Sequence, residues 1–182
     1  GALMTALRLL LGMAHDSENI ALDLQDGINL VDAVIQKVRH LSVQLRPSAL
    51  DDLGLSNALD SLFIQYSTAT RILVDLKTNV PEERRYSPFI EISAYRIIQE
   101  ALTNVARYTT VDRVSVTLHE DADCLNVTIV DDGEGFDIDA ISETSVWIGL
   151  SGMHERAALV GGSLEIRSSP GTGTEVMATL PL

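Results

Sequence analysis

Two hydrophobic periods divide this chain. Between Ile20 and Leu45, apolar side chains recur every three or four positions, at Leu24, Val31, Val34, Val38, Leu41 and Leu45, with a defect at Gly27–Ile28. That spacing predicts a long helix with a coiled-coil-like seam. Leu3, Ala6, Leu7, Leu10, Leu11 and Ala14 predict a shorter apolar helix before it, and Asp16, Ser17, Glu18 and Asn19 predict the turn between the two. The pair forms a helical hairpin whose apolar faces need further helices. Dimerisation into a four-helix bundle supplies them; packing on the rest of the same chain is the alternative.

Pro47 ends this region, because the residue before a proline is driven out of helical angles. Residues 48–54 then predict a linker. A helix at about 55–69 and a strand at 71–76 follow. Next come a loop containing Pro81 and a helix at about 88–107 that opens on Pro88. The period then changes to two. Val114, Val116 and Leu118 alternate with polar residues, as do Leu125, Val127 and Ile129, predicting two half-buried strands. Residues 136–148 read as a loop, and residues 151–160 as a helix closed by Gly161-Gly162. Leu164 and Ile166, then Val176, Ala178 and Leu180, give two more strands joined by SSPGTGT, a tight connection by its Pro and Gly content. The expected fold is α+β: a two-layer α/β sandwich, a mixed sheet with helices on one face, preceded by the hairpin. The expected domains are 1–47 and 48–182.

Charge narrows the partners. The chain has 13 Lys and Arg against 26 Asp and Glu, a net charge of −13, with no basic run of four. This disfavours nucleic acid, whose binding rests on neutralising phosphates, and disfavours contact with an anionic membrane surface. Cys124 is the only cysteine, so an internal disulfide and a cysteine zinc site are both excluded; the expected compartment is a reducing cytoplasm. The apolar start, GALMTALRLLLGMA, is too short to span a bilayer and lacks the form of a signal peptide. A first residue of Gly fits a piece of something longer.

The chemistry lies in four short boxes. Glu100 and Asn104, four apart on a predicted helix, share a face. One carboxylate and one amide oxygen suit Mg²⁺, which keeps water and phosphate in its shell. The carboxylate could also orient or deprotonate a nucleophile, and Arg107 is placed to reach the same phosphates. Alone, this pattern is equally an exposed polar helix face. Asp131 ends a strand and enters Asp132-Gly133-Glu134-Gly135, where glycine permits close approach. A carboxylate there can accept from an exocyclic amine such as adenine's. An ordinary acidic turn is the alternative; a calcium loop fails on spacing. Gly149 and Gly152 bracket a loop-to-helix junction whose amides suit phosphate. Gly171, Thr172, Gly173 and Thr174 alone would be hairpin chemistry. No box is specific singly; their order is.

In that order they resemble the ATP-binding domain of sensor histidine kinases, in the wider group with gyrase, Hsp-type chaperones and mismatch-repair ATPases. VRHLSVQLRPSALDDLGLSNAL resembles the junction of the nitrate-sensor and desaturase-sensor subfamily, and EALTNVAR, DDGEGFD, GLSGMHERA and GTGTEVMATLP match it as well. The resemblance implies ATP and Mg²⁺ as ligands. It implies Asn104 as the Mg²⁺ ligand, Glu100 as the catalytic or metal-orienting carboxylate, Arg107 facing phosphate and Asp131 reading adenine. Gly133, Gly135, Gly149, Leu150, Gly152 and Met153 shape the pocket and its lid. Thr174 sits near the adenine end, and Gly171, Thr172 and Gly173 count among the nucleotide-binding residues. Tyr108 stands where the subfamily often has His, and Trp147 where it often has Gly. The implied reaction moves the γ-phosphoryl of ATP to a histidine and then to an aspartate of a response-regulator receiver domain, within a homodimer formed through the bundle. The parent protein can be anchored in a bacterial inner membrane by segments not in this sequence.

His15-Asp16 imitates the family's acceptor pair. MTALRLLLGM, residues 4–13, matches the stretch that follows the acceptor, and the run from His15 to Arg46 is too short for the family's hairpin. The sequence is therefore expected to begin just after the true acceptor and not to autophosphorylate. His40, His119 and His154 read as structural or solvated. A serine kinase of the anti-sigma type would lack the Leu-Arg-Pro junction. A degenerate scaffold that uses the fold only to dimerise is the non-enzyme alternative, separable by nucleotide titration.

Overall fold

The computed structural model describes residues 48–138 and 145–182, with side chains at 50–138 and 149–182. The hairpin expected over 1–47, with His15 and His40, lies outside the described residues. Helix α1 spans Ser48–Thr70, strand β1 Leu73–Thr78, helix α2 Pro88–Tyr108, β2 Arg113–Glu120 and β3 Cys124–Asp131. Helix α3 spans Ser145–Ala158, β4 Ser163–Ser168 and β5 Thr174–Pro181.

The five strands form one sheet in the order β1-β2-β3-β5-β4. β1 runs parallel to β2, and the other neighbours are antiparallel. This is the mixed sheet and the α+β class expected. In β3 every second side chain is buried: Leu125, Val127, Ile129 and Asp131. That is the period of a sheet with one face on a core. The core joins the first three to Ile97, Ile98, Ala101, Leu102 and Val105 of α2 and to Leu55, Ala58 and Leu59 of α1.

Local chemistry explains the helix ends. Ser87 caps α2, its Oγ accepting from Ile90 N at 3.4 Å, and Pro88 fills the first turn where no amide bond is lost. α3 closes as Gly161, at φ +77°, turns the chain back and Gly162 N donates to Ala157 O at 2.9 Å.

Three boundaries differ from expectation. Residues 48–54 are not a linker: a helical turn occupies 48–53 and joins the main helix across a kink at Gly54, φ 78° and ψ −179°. β1 starts two residues late, because Arg71, at φ 66°, closes α1 with its amide on Ser67 O. α3 starts at Ser145, not 151, so residues 145–148 belong to a helix and not to a loop.

Candidate functional site

At one end of the sheet, where α2 finishes and β3 meets the turn after it, lies a cavity of about 140 Å³. Asn104 and Tyr108 come from α2, Asp131 from β3, Gly135 from the loop, Leu150 from α3 and Thr174 from β5. Six residues singled out in the sequence therefore meet. Ala101, Val105, Ile129 and Val176 supply apolar walls, and Thr109 and Phe136 line it as well.

Asp131 is 6% exposed. Gly133 N donates to its Oδ1 at 2.9 Å, and among the described residues Oδ2 makes no hydrogen bond. Burial raises its pKa above the ordinary aspartate value; the Gly133 amide pulls it back, and the Asp132 charge adds to the rise. A buried carboxylate with a free oxygen in a mostly apolar cavity is an acceptor for an N–H group. Two glycines keep it there. A Cβ at Gly133 would fall 2.7 Å from Asp131 Oδ1 and 2.7 Å from Thr109 Cγ2. A Cβ at Gly173, φ +76°, would run into the Asp131 carbonyl.

Beside this cavity stands the second chemical face. A Cβ at Gly149 would lie 2.5 Å from Glu100 Oε1 and 3.5 Å from Asn104 Nδ2, so α3 crosses α2 with a bare glycine on this pair. Glu100 and Asn104 are half-buried and Arg107 is exposed one turn on. Among the described residues no three His, Cys, Asp or Glu side chains are grouped to hold a metal. One carboxylate and one amide are too few for a closed protein site. They fit Mg²⁺, which needs few protein ligands and completes its shell with water and phosphate.

The remaining expected residues are placed differently. Gly152 abuts the Arg156 guanidinium, 2.9 Å from its Nη1 to a Cβ position. Met153 is fully buried, so it supports the site from within the core. Gly171 and Thr172 are exposed at the tip of the β4–β5 turn and do not line the cavity; Thr172 and Gly173 instead line a shallow groove next to it. Gly171 is nevertheless tied in, its amide donating to Glu134 O at 2.6 Å. His119 and His154 are exposed. Sequence reasoning missed Thr109, Phe136 and Ser168. Phe136 directly follows the glycine turn and Thr109 directly follows Tyr108, which was the available signal. Ser168 gave none.

Residues 90–182 match the family described as "Histidine kinase-, DNA gyrase B-, and HSP90-like ATPase". Among solved structures, the histidine kinase domain of the blue-light activated histidine kinase from Erythrobacter litoralis EL346 superposes with a TM-score of 0.57 at 19% identity. The match covers 100% of this chain and 94% of that one. At that identity the likeness is one of fold.

Proposed function

We propose that this chain, which belongs to the family of histidine kinase-, DNA gyrase B- and HSP90-like ATPases, is the ATP-binding catalytic portion of a two-component sensor histidine kinase. The observation that carries the reading is convergence. An adenine-type acceptor, Asp131, and a metal-type pair, Glu100 and Asn104, flank one cavity.

In this reading the base enters the apolar cavity and donates its amine to Asp131. The phosphates run toward Asn104 and Arg107. Mg²⁺, held by Asn104 with Glu100 beside it, supplies neutralisation of phosphate charge when bound. Glu100 holds the carboxylate that orients, or takes the proton from, the attacking nitrogen. Arg107 meets the charge of the phosphates. Catalysis is then positioning and electrostatics. The acceptor is a histidine, and the phosphoryl group passes on to a receiver-domain aspartate. The homodimer forms through residues 1–47, and the chain works in the cytoplasm. The Leu-Arg-Pro junction at 45–47 supports the nitrate-sensor and desaturase-sensor subfamily.

Calorimetric titration with ATP, with and without Mg²⁺, tests this. ATP should bind more tightly with the metal, and Asn104→Ala should remove the metal-dependent part. Unchanged affinity and unchanged metal dependence would sink the metal assignment, and absence of ATP binding the whole reading.

A further inference from the structure

Three side chains stand in a row across three strands. Asp131 on β3 is in register with Thr174 on β5, and Thr174 with Ser168 on β4. Thr174 is the middle member, and it lines the cavity with Asp131. Ser168 does not line it.

The Ser168 hydroxyl has one proton and two lone pairs, and the structure offers a partner for each. Ser168 Oγ donates to Gly173 O at 2.9 Å and accepts from Phe136 N at 2.9 Å. Its third contact is Thr174 Oγ1 at 3.1 Å. With the serine proton committed to Gly173 O, that contact forms only if Thr174 donates. The Thr174 proton then points at Ser168, so a ligand group that approaches the Thr174 oxygen from the cavity meets only its lone pairs. Asp131 is an acceptor there as well. Two neighbouring acceptors suit the exocyclic amine of adenine and repel the 6-carbonyl of a 6-oxopurine.

We propose that Ser168 is a specificity-determining positioning residue. It touches no nucleotide, and by fixing the direction of the Thr174 hydroxyl it makes the cavity select 6-aminopurine over 6-oxopurine nucleotides. It also holds two walls together. Phe136 hangs from Ser168 Oγ by its amide, and Gly135 just before it, at φ +59°, lies so close to the Ser169 and Gly173 carbonyls that a Cβ would overlap both.

The inference rests on the nucleotide reading above, and one experiment separates the two. ATP and ITP are titrated into the full chain, its Ser168→Ala, Ser168→Thr and Thr174→Val variants, and the Ser168→Ala/Thr174→Val double variant. The native protein should prefer ATP. Ser168→Ala frees the Thr174 proton to face the base, so the ATP/ITP preference should shrink by about tenfold, the scale of one hydrogen bond. Ser168→Thr keeps the hydroxyl and should restore it. Thr174→Val should shrink the preference too, and the double variant should be no worse than Thr174→Val alone, because serine acts through threonine. An unchanged preference in Ser168→Ala, no recovery in Ser168→Thr, or additive losses in the double variant would overturn the inference and leave the nucleotide site standing. Failure of the native chain to bind ATP would overturn both.

Discussion

Asp131 carries opposing pressures in one side chain. Burial favours its protonated form, and the Gly133 amide favours its ionised form. Because its pKa stands above the ordinary aspartate value, its favourable share of stability is present at low pH and is lost as pH rises through the folded pKa. A bound amine reverses this by stabilising the ionised form. Nucleotide uptake should therefore release protons near that pKa, and affinity should fall as pH drops through it. Asp131→Asn should weaken ATP by about 1.5–3 kcal/mol and abolish this part of the pH dependence. Titrations in buffers of different ionisation enthalpy measure the released proton directly; the same release from the Asn variant would assign it elsewhere. Tyr66 is a second buried polar group at the residue scale. Among the described residues its hydroxyl oxygen is the one side-chain polar atom fully shut off from solvent that meets no partner at hydrogen-bonding geometry. Burial pushes its pKa up to about 12; the nearby Thr70 side chain pulls it back, and the Asp131 charge adds a smaller part. Removing an unpaired buried hydroxyl is stabilising, so Tyr66→Phe should raise the unfolding free energy by about 1 kcal/mol. A lower melting midpoint would show that the hydroxyl has a partner in solution.

At the scale of elements, periodicity located the strands and α2, while the ends of α1 and α3 depended on contacts that no periodicity encodes. Residues 48–54 look like a linker because Gly54 interrupts the pattern. Gly54 instead takes a positive φ, and a distant arginine stabilises the short turn before it. Arg85 Nη2 donates to Leu50 O at 3.1 Å, while its Nε donates to Glu91 Oε1 at 3.0 Å. Glu91 is fully buried and also accepts from Tyr86 N at 3.1 Å. The guanidinium thus caps carbonyls at the end of one helical turn and pairs with a carboxylate in the first turn of α2. Arg85→Ala should destabilise the chain by about 2–3 kcal/mol. That is less than the ~3–5 kcal/mol of a fully buried pair, since Arg85 is 49% exposed. Denaturant melts of the Ala and Lys variants test this, the Lys variant keeping the charge but losing the fork. A loss under about 0.5 kcal/mol in Arg85→Ala would mean that the contact is an ordinary surface pair. The start of α3 was misread for the opposite reason. Gly149 looks like a breaker, but its φ is not among the positive values, and a helix tolerates glycine at about 1 kcal/mol.

For the whole molecule, the sequence disclosed six of the residues that meet at the cavity, and the fold discloses what constrains them. Asp131, Asn104, Tyr108, Gly135, Leu150 and Thr174 were legible as boxes because each box breaks the pattern of its element: a carboxylate ending a strand, an amide on a helix face, paired glycines. Ser168 was not legible, because a serine at the end of a strand is unremarkable until register sets it beside Thr174. The glycines show the same division, since their roles depend on what a Cβ would strike. At Gly173 the obstacle is backbone, the Asp131 carbonyl, which cannot yield without dismantling the end of β3. At Gly149 the obstacle is the tip of the flexible Glu100 side chain. Gly173→Ala should therefore lose stability, through both the clash and the strained φ of +76°. Gly149→Ala should keep or gain stability, because alanine favours the helix by about 1 kcal/mol and Glu100 can swing aside. The displaced carboxylate then no longer stands beside Asn104. Gly149→Ala is thus expected to melt no lower than the native chain while losing most of the Mg²⁺-dependent part of ATP affinity, with metal-free affinity nearly unchanged. A variant that melts normally and keeps its full metal dependence would remove Glu100 from the metal face and leave Asn104 as the sole protein group there.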